Sequence, residues 1–242
     1  MKYDIRVNEF KNNAFLEEGL SSFVKANKFN GPSLYFHSKA INICRRSAFK
    51  GELREDLLEA IYATLVSWGM HRMGMGGPKM VSYEEFKGSV NSVLDKLEKA
   101  KNYRYDSMDG DKWSNVEAIY KAVKIMGNFV GRDLDAEPQP IKTIIVANSK
   151  VLSHLLPDLI APIDRQYTIN FLRGNKVIST KEAYQWSDFL CITKEFYHEV
   201  INLDNVADFY DKNKSKSPWN TSILKFVDNV IIGKMVIKSP SV

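Results

Sequence analysis

The sequence predicts an all-α protein, and three observations lead to this fold class. Apolar residues recur at intervals of three and four positions along most of the 242-residue chain, as one buried face of a helix requires. Three Ser-x-x-Glu motifs, typical of helix starts, stand directly before such apolar stretches. Alternation with a period of two, which is typical of strands, is scarce, and its best example is the short stretch 143–146.

Apolar spacing alone predicts three helices in the N-terminal part of the chain. The first covers 15–24, and the second covers 34–43, directly after Pro32. The third covers 57–68, and Gly69 is a suitable stop, because glycine readily takes the left-handed conformation in which many helices end.

Capping boxes predict three more helices further along. In this motif the serine and the glutamate accept hydrogen bonds from backbone N–H groups that the first helical turn leaves unpaired. A last helix is predicted over 221–231 from its apolar spacing. The three boxes are Ser82 with Glu85, Ser114 with Glu117, and Ser179 with Glu182.

A proline-containing stretch near the middle of the chain, 132–140, is the best candidate for a domain boundary. It divides the chain into an N-terminal helical lobe, 1–135, and a C-terminal helical lobe, 136–242. The alternative is one compact domain that contains both parts.

Composition indicates a globular protein of a reducing compartment. Hydrophobic residues make up 44% and charged residues 26%, a balance that excludes wholesale disorder. No apolar run approaches the ~20 residues that cross a bilayer, and the polar N-terminus lacks the apolar centre of a signal peptide, so we expect a cytoplasmic protein without a membrane partner. Cys44 and Cys191 are expected to be buried free thiols rather than a disulfide. Two cysteines and scattered histidines offer no ligand spacing, so we expect neither a metal nor a cofactor.

The charge balance favours an anionic partner. The net charge is +5 and the pI is near 9.0, so nucleic acid is the partner that we expect; the alternative is a slightly basic protein without one. Arg72 and Lys79 flank the stretch 74–77, which contains three glycines whose backbone amides could approach a phosphate. A helix end followed by a flexible loop is the preferred explanation of this segment. Arg165 is a further candidate phosphate contact. Three other basic residues fall on one early helix: Lys39, Arg45 and Arg46.

The segment 147–167 carries the most specific functional signal. Asn148 or Ser149 is predicted to cap a helix that has Lys150 in its first turn. An extended connection bounded by prolines follows, and Asp164 begins the next helix. A helix, a stiff return and a second helix start bring Lys150 and Asp164 toward one cleft.

Two short motifs in this segment, Ser149-Lys150-Val151 and Pro162-Ile163-Asp164, resemble the helix-hairpin-helix DNA glycosylase superfamily, most nearly its 8-oxoguanine branch. The resemblance implies a two-lobed all-α fold and DNA as the partner. It also implies that Lys150 attacks the sugar C1′ of a flipped-out nucleotide, while Asp164 stabilises the positive charge that develops on the sugar. Ser149 and His154, close to Lys150, are candidate nucleic-acid contacts.

The chain departs from the family pattern in two ways. Such enzymes carry a Gly-apolar-Gly hairpin before the lysine, whereas residues 145–148 are Ile-Val-Ala-Asn, and the connection from lysine to aspartate is shorter here. Both departures favour a second hypothesis, a non-catalytic all-α nucleic-acid-binding or interaction protein that retains the fold.

Each candidate residue also has a purely structural interpretation. Lys150 could be a solvent-facing helix lysine, and Asp164 could be an ordinary N-cap. His154 could be a buried histidine whose ring nitrogens are satisfied by the protein itself.

Overall fold

The computed structural model describes residues 3–27, 31–51, 53–70, 78–129 and 143–238, and the predicted all-α fold is confirmed. The helices of the first half are α1 (Asp4–Glu9), α2 (Asn13–Ala26), α3 (Pro32–Arg46), α4 (Glu55–Ser67), α5 (Tyr83–Asn91), α6 (Leu94–Ala100) and α7 (Gly110–Ala122). Those of the second half are α8 (Ile145–Leu155), α9 (Asn170–Arg173), α10 (Glu182–Ile192), α11 (Glu199–Ile201), α12 (Asp204–Asn213) and α13 (Ile223–Lys238).

Two wider turns lengthen the helices of the second half. Residues Arg165–Ile169 form a π-helical turn that runs directly into α9. Residues Thr193–His198 form another, which joins α10 to α11. Both continue a helix without a break, so the chain from Glu182 to Ile201 is one long helical rod.

The strand prediction is wrong in its position. Residues 145–146 belong to the first turn of α8. The strands that the structure contains are β1 (Pro78–Met80) and β2 (Met126–Phe129), which pair antiparallel with Met80 opposite Met126. Strands of three and four residues are too short for a period of two to stand out in the sequence.

One of the three predicted capping boxes stands at a helix start. The hydroxyl of Ser82 accepts a hydrogen bond from the backbone N–H of Glu85 at 3.2 Å and caps α5. Ser114 instead lies inside α7, which begins earlier because Asp109 caps it. Ser179 caps no helix, since its hydroxyl accepts from the N–H of Lys181 in the turn before α10.

Helix α8 lies at the centre of the fold. It contacts α3, α4, α7 and α10, and the only residues of this helix that are not fully buried are Val146 and Lys150. Its buried positions include four polar residues, each hydrogen-bonded within the protein: Asn148, Ser149, Ser153 and His154. Lys150 therefore occupies one of the two positions where α8 reaches the surface.

The buried core is continuous between residues before and after the predicted domain boundary. Leu16 and Leu58 share one cluster with Val151 and Val230, all of them less than 1% exposed. The boundary itself, at residue 135, lies outside the described residues, and the division into two lobes stays a prediction.

Helices α2 and α13 cross closely because a glycine from each faces the other. A Cβ at Gly19 would lie 2.7 Å from the Cγ1 atom of Val230, and a Cβ at Gly233 would overlap the carbonyl oxygen of Gly19. Neither position has room for a methyl group, so the backbones of α2 and α13 are in close contact at this crossing.

We expect Gly233→Ala to lower the free energy of unfolding by about 3 kcal/mol, the upper range for forcing a methyl group into a packed core. Urea denaturation followed by circular dichroism measures this change. The matched control is Gly88→Ala in α5, where an added Cβ meets no atom within 4 Å. That variant should be neutral or more stable, since alanine favours helix over glycine by roughly 1 kcal/mol. Equal stabilities of the two variants would contradict the close crossing.

Candidate functional site

The start of α8 is set by a side chain from a distant part of the sequence. The Oε1 atom of Gln185, a buried residue of α10, accepts hydrogen bonds from the backbone N–H groups of Ile144 and Ile145 at 2.7 and 3.2 Å. The expectation that Asn148 or Ser149 caps this helix is therefore wrong, and Lys150 lies in the second turn. The positive end of the helix dipole therefore acts on Lys150 more weakly than expected.

Ser149 joins α8 to the segment that carries Asp164. Its hydroxyl accepts a hydrogen bond from the backbone N–H of Ile163 at 3.0 Å. The side chain is completely buried, so it offers no surface to nucleic acid in this conformation. Its role in the structure is to hold the proline-bounded return, residues 157–162, against the helix.

Asp164 caps the next helix, as its structural interpretation anticipates. Its Oδ1 atom accepts hydrogen bonds from the backbone N–H groups of Gln166 at 2.7 Å and Tyr167 at 3.4 Å. Its own N–H donates to the hydroxyl of Thr168. These bonds fix the carboxylate plane and leave Oδ2 for another partner.

That partner is Lys150, so the predicted juxtaposition of the two residues is confirmed. The Nζ atom of Lys150 lies 2.9 Å from the Oδ2 atom of Asp164, and the two side chains are 11% and 25% exposed. The interpretation of Lys150 as a solvent-facing lysine is wrong. Burial by itself raises the pKa of Asp164, but the charge of Lys150 and the hydrogen bonds to the carboxylate outweigh it, so this pKa lies below its ordinary value.

The ion pair lines a half-open pocket of about 530 Å³. Ligand sites commonly enclose roughly 300 to 1,000 Å³ and combine apolar walls with a few polar groups. Aromatic rings and charged side chains both line this one. Its main residues are Phe23, Trp68, Tyr167 and Trp219 among the aromatic ones, and Lys150, Asp164, Lys225 and Asp228 among the charged ones.

A second ion pair in the same pocket was not anticipated. The Nζ atom of Lys225 lies 2.6 Å from the Oδ2 atom of Asp228, one turn apart on α13, and both side chains are less than 10% exposed. Burial raises the pKa of Asp228, while the charge of Lys225 acts against this rise. The available signal was that two opposite charges three positions apart interrupt an otherwise apolar helix.

The two lysines both lie near the indole of Trp68. Its ring centre is 5.6 Å from the Nζ atom of Lys150 and 6.0 Å from that of Lys225. Lys225 is also 6.0 Å from the ring centre of Trp219. Cations attracted to an aromatic face are held in place, so both ammonium groups are positioned before any ligand enters.

A pair of buried histidines packs against these aromatic rings. The Nδ1 atom of His37 is 2.9 Å from the Nε2 atom of His154, and the His37 ring stacks on Trp219. The Nδ1 atom of His154 is 2.7 Å from the carbonyl oxygen of Lys150, which accepts its hydrogen bond. His154 is wholly buried, which agrees with its structural interpretation and leaves it no surface for nucleic acid.

The remaining predicted contacts lie elsewhere. Arg72 is outside the described residues. Lys79 is an exposed residue of β1, and Arg165 is exposed and donates from Nε to the carbonyl oxygen of Lys176 at 2.7 Å. Neither lines the pocket, so of the predicted site residues that the structure describes only Lys150 and Asp164 meet there.

No protein-family model matches the chain, and neither does any curated protein or solved structure. Among the described residues, no three histidine, cysteine, aspartate or glutamate side chains converge to hold a metal ion. The same residues include no helix that is both long and apolar enough to span a bilayer. Cys44 and Cys191 are free thiols, and Cys44 is buried, as expected, whereas Cys191 is partly exposed.

The burial of the histidines predicts how the stability of the fold changes with pH. Burial is the main cause that lowers the pKa of His154 to about 4, whereas an unfolded histidine titrates near pH 6.5. Between these values the unfolded chain binds the additional proton, so the stability of the fold decreases as the pH falls from about 6.5 to about 4. His154→Gln should remove up to about 1.4 kcal/mol of this decrease per pH unit.

Urea unfolding of both proteins at pH 8, 6 and 5 measures the effect. The difference at pH 8, where the histidines are neutral, reports the packing change alone and serves as the control. Stability curves that run parallel from pH 8 to pH 5 would contradict the assignment of a neutral, buried His154.

Proposed function

We propose that this protein excises a damaged base from DNA, with Lys150 as the nucleophile and Asp164 as its electrostatic partner. The observation that carries the proposal is the Lys150–Asp164 ion pair, at 2.9 Å, in the wall of a pocket with aromatic sides. The resemblance of the two motifs that contain these residues to the DNA glycosylases supports the same function.

The pocket has the features that an extruded base requires. A base inside a duplex is inaccessible, so enzymes that act on it flip the nucleotide out and stack the base between aromatic or apolar side chains. Trp68, Tyr167 and Trp219 supply such surfaces, and the volume of about 530 Å³ accommodates a purine. An 8-oxoguanine-type base is the substrate class that we propose.

The lowered pKa of Asp164 suits a carboxylate that stays charged during the reaction. Lys150 gives one ammonium proton to the departing base and its nitrogen attacks C1′, while the bond from C1′ to the base breaks and its electron pair leaves with the base. The product is a protonated amine bonded to C1′. The bond from C1′ to the ring oxygen then breaks, one N–H proton moves to that oxygen, and a protonated Schiff base forms. Asp164, fixed by its helix cap, stabilises the positive charge on the sugar as the bond breaks.

Borohydride trapping tests this chemistry on an oligonucleotide that carries 8-oxoguanine or an abasic site. A Schiff base from a lysine amine is reducible, so the wild-type protein should give a covalent adduct with DNA. Lys150→Arg keeps the positive charge next to Asp164 but supplies no amine that forms a Schiff base, and it should give no adduct. Lys225→Arg is the matched control in the same pocket and should give the wild-type yield.

Asp164→Asn should slow base release and also lower stability by about 3 kcal/mol, because asparagine still caps the helix but leaves the nearly buried Lys150 without its charged partner. Its melting temperature is therefore measured beside its rate. A full adduct yield from Lys150→Arg would show that another amine reacts. No adduct with any of several damaged bases, from a folded protein, would refute the excision chemistry.

A second function is favoured by the beginning of α8. Residues Ile145, Ala147 and Asn148 are buried in the first turn of this helix, where their backbone amides cannot grip a phosphate as the family's glycine hairpin does. The corresponding proposal is a non-catalytic protein that binds nucleic acid, with DNA the first candidate, and holds a base in the pocket without cleaving it. Salt-sensitive DNA binding without any adduct would support this function over excision.

We propose the cytoplasm as the compartment, since both cysteines are free thiols.

A further inference from the structure

A second cavity, on the other side of the N-terminal turn of α3, carries an excess of positive charge. This groove, of about 650 Å³, lies between α3 and the start of α4. Its polar lining contains three cations and one carboxylate, and its apolar floor is formed by Leu34 and Ile43. The charged residues are Lys39, Arg46, Arg54 and Asp56.

The charges of the groove are only partly neutralised within the protein. Arg54 and Asp56 form a two-pronged ion pair, with distances of 3.0 and 2.6 Å. The hydrogen bond from Arg54 lowers the pKa of Asp56, and the nearby charge of Lys39 adds to this. Within the part of the chain that the structure describes, the side chains of Lys39 and Arg46 have neither a hydrogen bond nor an ion pair. Two cations therefore remain for a ligand.

The side chains of α3 are spaced to follow an extended anion. Tyr35, Lys39, Asn42 and Arg46 recur every three or four positions, so they lie along one face of the helix. Lys39 and Arg46 are about 10 Å apart along the axis, so they can contact different phosphates of one strand. Tyr35, one turn before Lys39, is 63% exposed, which is unusual for so large a ring.

The chain directly after α3 is fixed by the packing of Phe49. Phe49 takes a left-handed conformation, with a φ of 56°, and its buried ring lies 4.3 Å from the Nζ atom of Lys101. Such a conformation is unfavourable for a bulky residue and persists where the surrounding packing imposes it. The packing around Phe49 thus fixes the chain just after α3, three residues from Arg46.

From these features we infer that the groove binds the phosphate backbone of single-stranded nucleic acid, with Tyr35 as a stacking platform for one unpaired base. An exposed ring can stack on a base of a single strand, whereas the bases of a duplex already stack on each other. The choice of nucleic acid over another polyanion rests on the proposed function. Ser33, two residues before Tyr35, lines the pocket that contains Lys150, so the groove and the pocket meet at the first turn of α3.

Fluorescence anisotropy with a labelled, undamaged oligothymidylate of about 15 nucleotides tests the inference. The double variant Lys39→Gln/Arg46→Gln should bind at least tenfold more weakly at low salt. The slope of log K against log salt should become shallower by about 1.4, because each phosphate contact on a single strand contributes about 0.7. The matched control, Lys99→Gln/Lys124→Gln, removes two exposed lysines away from both cavities and should change affinity threefold at most.

Tyr35 provides an independent test of stacking. Tyr35→Ala should weaken binding about tenfold without changing the salt slope, and Tyr35→Phe should restore it, because the ring rather than the hydroxyl contacts the base. Equal losses in the two double variants would overturn the inference. So would equal affinity for a duplex, or displacement of the strand by polyglutamate at equal charge concentration, which would indicate an acidic peptide as the ligand.

The experiments can refute the inference about the groove and the proposed excision chemistry independently of each other. The two measurements test different residues, because the affinity for the undamaged strand depends on Lys39 and Arg46, whereas the borohydride adduct depends on Lys150. If the groove variants lose affinity and the wild-type protein gives no borohydride adduct, excision is refuted and the inference about the groove stands. An adduct from the wild-type protein, with no effect of the groove variants on affinity, would refute the groove and keep excision.

Discussion

The structure around the pocket depends on the carboxylate of Asp164, whose two oxygens have different partners. Asp164 uses one oxygen to cap the helix that follows it and the other to pair with Lys150. The helix cap prevents the carboxylate from turning, so the lysine meets an acceptor of fixed direction. Ser149 adds a second tie between the same two segments. The geometry of the candidate site is therefore built into the local backbone and is present before any ligand arrives.

Two ion pairs in one pocket, one of them buried and the other largely shielded from water, carry an energetic cost. Removing a charge from water is expensive, and the attraction between partners offsets this only when geometry is good and the remaining polar atoms are bonded. Lys150–Asp164 and Lys225–Asp228 both have short contacts, and the indole of Trp68 lies near both cations. Apolar residues would stabilise such a pocket at least as well. Retaining four charges there is more easily understood as a requirement of function than of folding.

Local patterns in the sequence predict the helices and the meeting of Lys150 with Asp164, because both follow from short-range rules. Helical spacing indicates which face of a helix is buried. Lys150 and Asp164 are only fourteen positions apart, and the stiff return between them restricts how far their side chains can separate. The start of α8 could not be predicted, because its cap comes from Gln185, 41 positions further along the chain. Lys225 and Asp228 were missed for a similar reason. Their position in the pocket depends on how α13 packs, which no motif encodes.

The contact between Gly19 and Gly233 also bears on which molecules the pocket can admit. Phe23 and Ala26 of α2 form one side of the pocket, and Asp228, Ile232 and Val236 of α13 belong to another. The separation of these two helices therefore sets the width of the entrance. The two glycines thus act as a spacer between the helices, and substitution at either one would change the width of the pocket without replacing a residue that lines it.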